Sequence, residues 1–384
     1  MLALRLARGT HPLVLLRRLL VAAASAGVGF LLLCTLGYAV GHPAHSTGSV
    51  LRLLWCLAPL AATVHFAVAV ARTDPSTSPP RAGLSGAGLG PARLTALAAV
   101  STAVSCTLGS ALALLFYLHL RGDLTGLPFD GAAAELLAAG RPMPLAAALT
   151  LLCLVPLTAA AASALALRPH PVKPADDTAA APHRVPTGLP WGVALTAAGL
   201  AVEAYANRGA PGAPFPLPGR LDVVPAGVLA GWALTALGLA LAGPGLTYLC
   251  GRVIQSVRPG AVRLLAGRVL MDEAHRIGRP LGVVCAVASG AIAASTLYGG
   301  DGGPRPFGPL TGLGAALVMS CTVATLLTAT LEAKHARTDT TKALLRLGAP
   351  TQTLRGAATL RAIALLTVFG PLTWAVAELA ALPF

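Results

Sequence analysis

Runs of about 20 apolar residues alternate with short polar stretches along the chain, and within each run Ala, Leu, Val and Gly fill consecutive positions. Such a run crosses roughly 30 Å of hydrocarbon at about 1.5 Å per helical residue. A membrane strand would alternate polar and apolar residues over about 10 positions, so the pattern predicts helices. Nine spans are expected, over residues 19–40, 50–71, 94–118, 144–167, 189–206, 223–250, 281–299, 309–331 and 356–381. The predicted fold class is therefore an all-α, polytopic integral membrane bundle. Two irregularities are also expected: a short helix over residues 131–139 of the longest outer loop, and a break in the ninth span at Gly370-Pro371.

Composition agrees, with 55% hydrophobic residues, 11% charged residues and a mean hydropathy of +0.73. The net charge of +14 would suggest nucleic acid in a water-soluble chain. Most Lys and Arg, however, fall in residues 1–18 and in loops 72–93, 168–188, 251–280 and 332–355, which one topology places on a single side. The positive-inside rule makes that side the cytoplasm, so the charge is read as insertion bias and no nucleic-acid partner is expected. The expected location is a bacterial cell membrane, from the Ala, Arg and Leu bias, with the N-terminus cytoplasmic and the C-terminus outside. The basic N-terminal segment before the first apolar run is read as part of an uncleaved span, because that run is too long for a signal peptide. All seven cysteines lie in or beside apolar segments without paired spacing, and are read as small packing residues.

The two halves resemble each other. After the second span the chain reads Ala71-Arg72-Thr73-Asp74 and reaches Gly86-Ala87; after the eighth it reads Ala336-Arg337-Thr338-Asp339 and reaches Gly348-Ala349. Arg18 and Leu20 enter the first span as Arg279 and Leu281 enter the seventh. Each copy begins on the cytoplasmic side and returns there after two spans, so the repeats are expected to be parallel. The expected organisation is a first repeat of four spans (1–168), a Pro- and Ala-rich linker (169–188), a two-span insert (189–250) and a second repeat of three spans (251–384).

Residues 332–355 predict a short amphipathic helix. Thr338 or Asp339 can cap it, Lys342 and Arg346 share a face, and Gly348 followed by Pro350 supplies the stop. Leu344, Leu345 and Leu347 cannot all be buried by so short a helix, and must meet lipid headgroups, the membrane bundle or another protein. Residues 258–279 mix apolar residues with Arg263, Arg268 and Arg276 and read as an interfacial helix before the seventh span, or as a solvated basic loop.

The stretch from Glu332, through Leu344, Leu345, Arg346 and Gly348, to Arg355 resembles the FtsX-like permeases of ABC transporters, and the four-span, two-span and later-span layout resembles their ten-span, bacitracin-export branch. The resemblance implies a membrane permease subunit that exports or extracts an amphiphile such as a peptide, antibiotic or lipid. It implies that Glu332, Arg337, Asp339, Lys342, Leu344, Leu345, Arg346 and Gly348 form a loop docking on a separate cytoplasmic ATPase, present in two copies. Arg72, Asp74 and Gly86 would form the second such loop, where Pro75, Pro79 and Pro80 argue against a regular helix. The chain departs from that branch in lacking the last span and a large outer domain, since only residues 300–308 join the seventh and eighth spans.

No catalytic role is expected for this chain, nor a cofactor or metal. Asp272-Glu273-Ala274-His275 spells a helicase box, but no phosphate-cradling Gly-Lys element accompanies it, so ATP and magnesium would belong to the partner subunit. The Gly86, Gly88 and Gly90 spacing lacks a preceding strand. Three ionisable residues fall inside spans. Glu203 and Glu378 lie near span ends, where a carboxylate reaches water, and His65 lies deeper, where it would hydrogen-bond to a neighbouring helix. Two rival readings use the same layout: a proton-coupled secondary transporter, and a non-transporting signalling or scaffold subunit.

Overall fold

The computed structural model describes residues 12–73, 91–123, 131–134, 137, 139–168, 186–208, 226–256, 260–298 and 309–381. Among them twelve helices follow one another: α1 (Pro12–Gly41), α2 (Ser46–Trp55), α3 (Leu57–Arg72), α4 (Pro91–Arg121), α5 (Leu145–Ala166), α6 (Gly188–Arg208), α7 (Ala226–Ser256), α8 (Ala261–Asp272), α9 (Ala274–Tyr298), α10 (Pro309–Ala336), α11 (Thr338–Arg346) and α12 (Thr351–Ala381). No strand occurs among the described residues. Among the described residues nine helical segments are long and apolar enough to cross a membrane. The second comprises α2 and α3, which break at Cys56, and the eighth runs on from α10 through α11. The break at Cys56 has a local cause, since Pro59 has no N–H to offer the carbonyl of Trp55.

The chain divides into two compact units. One holds the described residues up to 168 together with residues 309–321; the other holds the described residues of 186–298 together with residues 322–381. In the first unit α1 lies along α4, and α5 packs on α1, α3 and α4. Val28, Leu31, Leu32, Cys56, Leu60 and Val155 form one buried cluster, onto which Leu317 from the start of α10 also packs. The Ser25 hydroxyl crosses from α1 to donate to the Cys106 carbonyl at 2.8 Å. Six of the seven cysteines are buried and all are unpaired, which is the packing role expected of them.

In the second unit α6 and α7 form an antiparallel hairpin closed by small residues. A Cβ built on Gly199 or Gly231 would fall within 3.0 Å of the facing helix's backbone, so these helices meet backbone to backbone. α7 then receives α8 and α9 along its other side, with Gly251 against Gly267 and Gly243 against Gly278. The stretch expected to be an interfacial helix or a solvated basic loop is helical, as α8, so the loop alternative is corrected. α8 runs antiparallel beside the final turns of α7, where the Gly251–Gly267 pair lets the two backbones approach.

Two further expectations are corrected. Residues 131–134 form turns, with Gly131 at φ +70°, and the short helix expected over 131–139 is absent from the described part of that range. α12 continues through Gly370-Pro371 for 31 residues without a break. A single proline removes one bond of the helical ladder, and a long apolar helix retains the rest.

Candidate functional site

The segment from the end of α10 to the start of α12 builds one candidate site. α11 is nine residues long and none of them is buried. Leu344 is half-buried, while Leu345 is 41% and Leu347 84% exposed, so the leucines remain uncovered as their spacing requires. Asp339 stands in the first turn and Arg346 in the last, each opposing the partial charge of its helix end. Neither Thr338 nor Asp339 caps the helix. Arg337 occupies the N-cap position without a side-chain cap, and the Thr338 hydroxyl turns back to the Lys334 carbonyl at 3.3 Å.

The stop is made as expected. Gly348 adopts φ +87°, its N–H donates to the Leu345 carbonyl and the Ala349 N–H to the Leu344 carbonyl, both at 3.0 Å. That double closure with a left-handed glycine satisfies carbonyls that the helix end would leave open. Only Leu347, Gly348, Ala349 and Pro350 separate α11 from α12.

Arg337 anchors the loop. Its Nε donates to the Ala333 carbonyl at 3.0 Å and lies 2.7 Å from Oε1 of Glu273, the residue at the break between α8 and α9. The Glu273 side chain is 10% exposed and that of Arg337 28%. Burial pushes the Glu273 carboxyl above the ordinary carboxylate range; the guanidinium groups of Arg337 and Arg276 pull it down, and Asp272 adds to the rise. The net rise means that the ion pair does not fully offset the desolvation of the acid. Sequence reading missed this partner, because Glu273 was seen only as one letter of a helicase box. Of the other predicted loop residues, Glu332 is half-buried on α10 and Lys342 is exposed on α11.

The first repeat's loop is described only at its start. Arg72 is exposed at the end of α3, and the Thr73 hydroxyl donates to the Val70 carbonyl at 2.9 Å. Asp74 and Gly86 lie outside the described residues.

The intramembrane ionisable residues differ from expectation. His65 is exposed on α3 and makes no hydrogen bond to a neighbouring helix among the described residues. Glu378 is exposed on α12. Glu203 is only 3% exposed, held in the α6–α7 seam, where Trp232 Nε1 donates to its Oε1. Its position in sequence near a helix end did not reveal that the facing helix continues past it.

Among the described residues no group of three or more His, Cys, Asp or Glu side chains is placed to hold a metal ion. The fold and these features define a multi-pass, all-α membrane protein. Compared with known proteins, the chain matches no family model, no curated relative and no solved structure.

Proposed function

We propose that this chain is the membrane-spanning permease subunit of an ATP-driven ABC transporter of the FtsX-like type, exporting or extracting an amphiphile such as a peptide, antibiotic or lipid. The observation that carries this reading is α11: an amphipathic helix with no buried residue, held by a four-residue joint to one membrane helix and by Arg337 alone to another. Its uncovered leucines and flanking Lys342 and Arg346 suit a groove on a separate cytoplasmic ATPase, present in two copies, which binds ATP and magnesium. A second contact would use the loop after Arg72. The membrane is a bacterial cell membrane, with loops 72–93 and 332–355 in the cytoplasm. Closing of the ATPase around nucleotide would push α11, and the joint at Gly348 and the Arg337–Glu273 pair would pass that motion to α12 and α9.

Co-purification in detergent with a co-expressed ABC-type ATPase subunit tests the reading. Wild type is expected to retain the ATPase, and Leu345→Asp or Arg346→Glu to lose at least about tenfold in capture, a loss of roughly 1.4 kcal/mol or more. Equal capture by wild type and both variants, or none by wild type, would remove the docking model.

A further inference from the structure

The α6–α7 hairpin encloses an acid that no cation neutralises among the described residues. Glu203 is 3% exposed; its Oε1 accepts from Trp232, and its Oε2 is buried without a partner. The hydroxyl of Thr235, one turn from Gly231 on α7, is buried and unpartnered as well. Both orphan atoms belong to one seam. Gly231 lacks a side chain where Glu203 lies, since a Cβ there would stand 2.9 Å from the Glu203 Cβ, and Gly199 is bare where Thr235 lies.

Among the described side chains the charges around it are few. α7 presents Trp232 and Thr235, and its titratable residues Tyr248, Cys250 and Arg252 lie in its last three turns, at the other end of the helix. α12, which also touches α6, has Arg355 and Arg361 in its first half and Glu378 in its last turn, the latter exposed. On α6 itself Tyr205 is 81% exposed. A buried carboxylate is held as an anion by two or three donors or by a neighbouring cation, and Glu203 has a single N–H. Adding a proton removes the charge without moving either helix.

We propose that Glu203 is a proton-binding site. The closed hairpin holds the neutral acid, and separation of α6 from α7 admits water to Oε2 and releases the proton, so that proton occupancy reports and biases the state of the hairpin. The proposal does not rest on the ATP-driven reading, and either can fail without the other.

The test uses the full-length protein in lipid nanodiscs with dicyclohexylcarbodiimide, a reagent that adds the O–H of a neutral carboxylic acid in apolar surroundings across its C=N bond. Peptide mass spectrometry is expected to find the adduct on Glu203, forming severalfold faster at about pH 6 than at about pH 8. In a protein whose other tryptophans, Trp55, Trp191 and Trp374, are replaced by Phe, Trp232 emission is expected to change through one pH transition that Glu203→Gln abolishes. A purely structural Glu203 would change melting temperature on substitution but give neither signal. No adduct on wild-type Glu203 at either pH, or an emission transition that persists in E203Q, overturns the proposal.

Discussion

In the first repeat α4 presses Gly109 onto the Ala22 carbonyl and Ser25 of α1, whereas in the second repeat Gly370, 261 residues later, stands on α12 with open space where a Cβ would point. The correspondence between the two regions is otherwise close. α1 begins at residue 12 and α9 at 274; α4 begins at 91 and α12 at 351. α1 pairs with α4 as α9 pairs with α12. Even the inter-helix hydrogen bond recurs, from Ser25 to the Cys106 carbonyl at 2.8 Å and from the Cys285 thiol to the Phe369 carbonyl at 3.9 Å. Gly109 is thus fixed in a helix contact, whereas Gly370 lies on an exposed face of α12.

The largest expected effect comes from adding a methyl group at each of these two glycines. Gly109→Ala drives a methyl group into the α1 backbone and is expected to cost about 3 kcal/mol, read as a fall in melting temperature in detergent. Gly370→Ala meets nothing and is expected to be neutral or to stabilise by up to about 1 kcal/mol through helix propensity. Equal losses at both positions would dissolve the contrast.

A smaller effect separates the members of the anchor. Arg337→Ala leaves a buried carboxylate unpaired and is expected to cost about 2 kcal/mol, while Glu273→Gln is expected to cost less than about 1 kcal/mol. The pH dependence has a definite sign. The Glu273 carboxyl is raised in the folded protein, so its contribution to stability is greatest below the unfolded value of about 4.3 and is lost as pH rises through the folded value. Relative to E273Q, wild type should lose stability from about pH 4 towards neutrality. The opposite slope would mean that Arg337 more than offsets the burial.

The smallest effect compares the two inter-helix bonds. Ser25→Ala is expected to cost about 0.6 kcal/mol, the average for such bonds in a bilayer, and Cys285→Ala less, because a thiol is a weak donor. A larger loss at Cys285 would place the tighter contact in the second repeat.

The nine spans were legible in the sequence because hydrocarbon imposes one length and forbids unpaired backbone, so hydropathy alone finds the helices. The amphipathic α11 and its Gly348 stop were legible for a local reason, since both depend on residues within one or two turns. What failed depended on neighbours. Nothing near Glu203 announces that Gly231 lies opposite, and nothing in the basic stretch around Arg263 says that Gly267 meets Gly251. The partner expected for His65 is absent among the described residues, since that face of α3 is exposed. One signal was available and unused: glycines at 192 and 199 and at 231, 238 and 245 recur every seven residues, the period of a helix pair in close contact.

That glycine seam bears on how freely the protein can change. Where two helices touch through side chains, a bulky replacement on one can be matched by a smaller one on the other. Across α6 and α7 the facing surface at Gly199, Gly231 and Gly238 includes main chain, which no codon alters. Compensation is closed to these sites, so a saturating substitution scan should find the hairpin intolerant every seventh residue, and second-site suppressors should arise elsewhere or not at all.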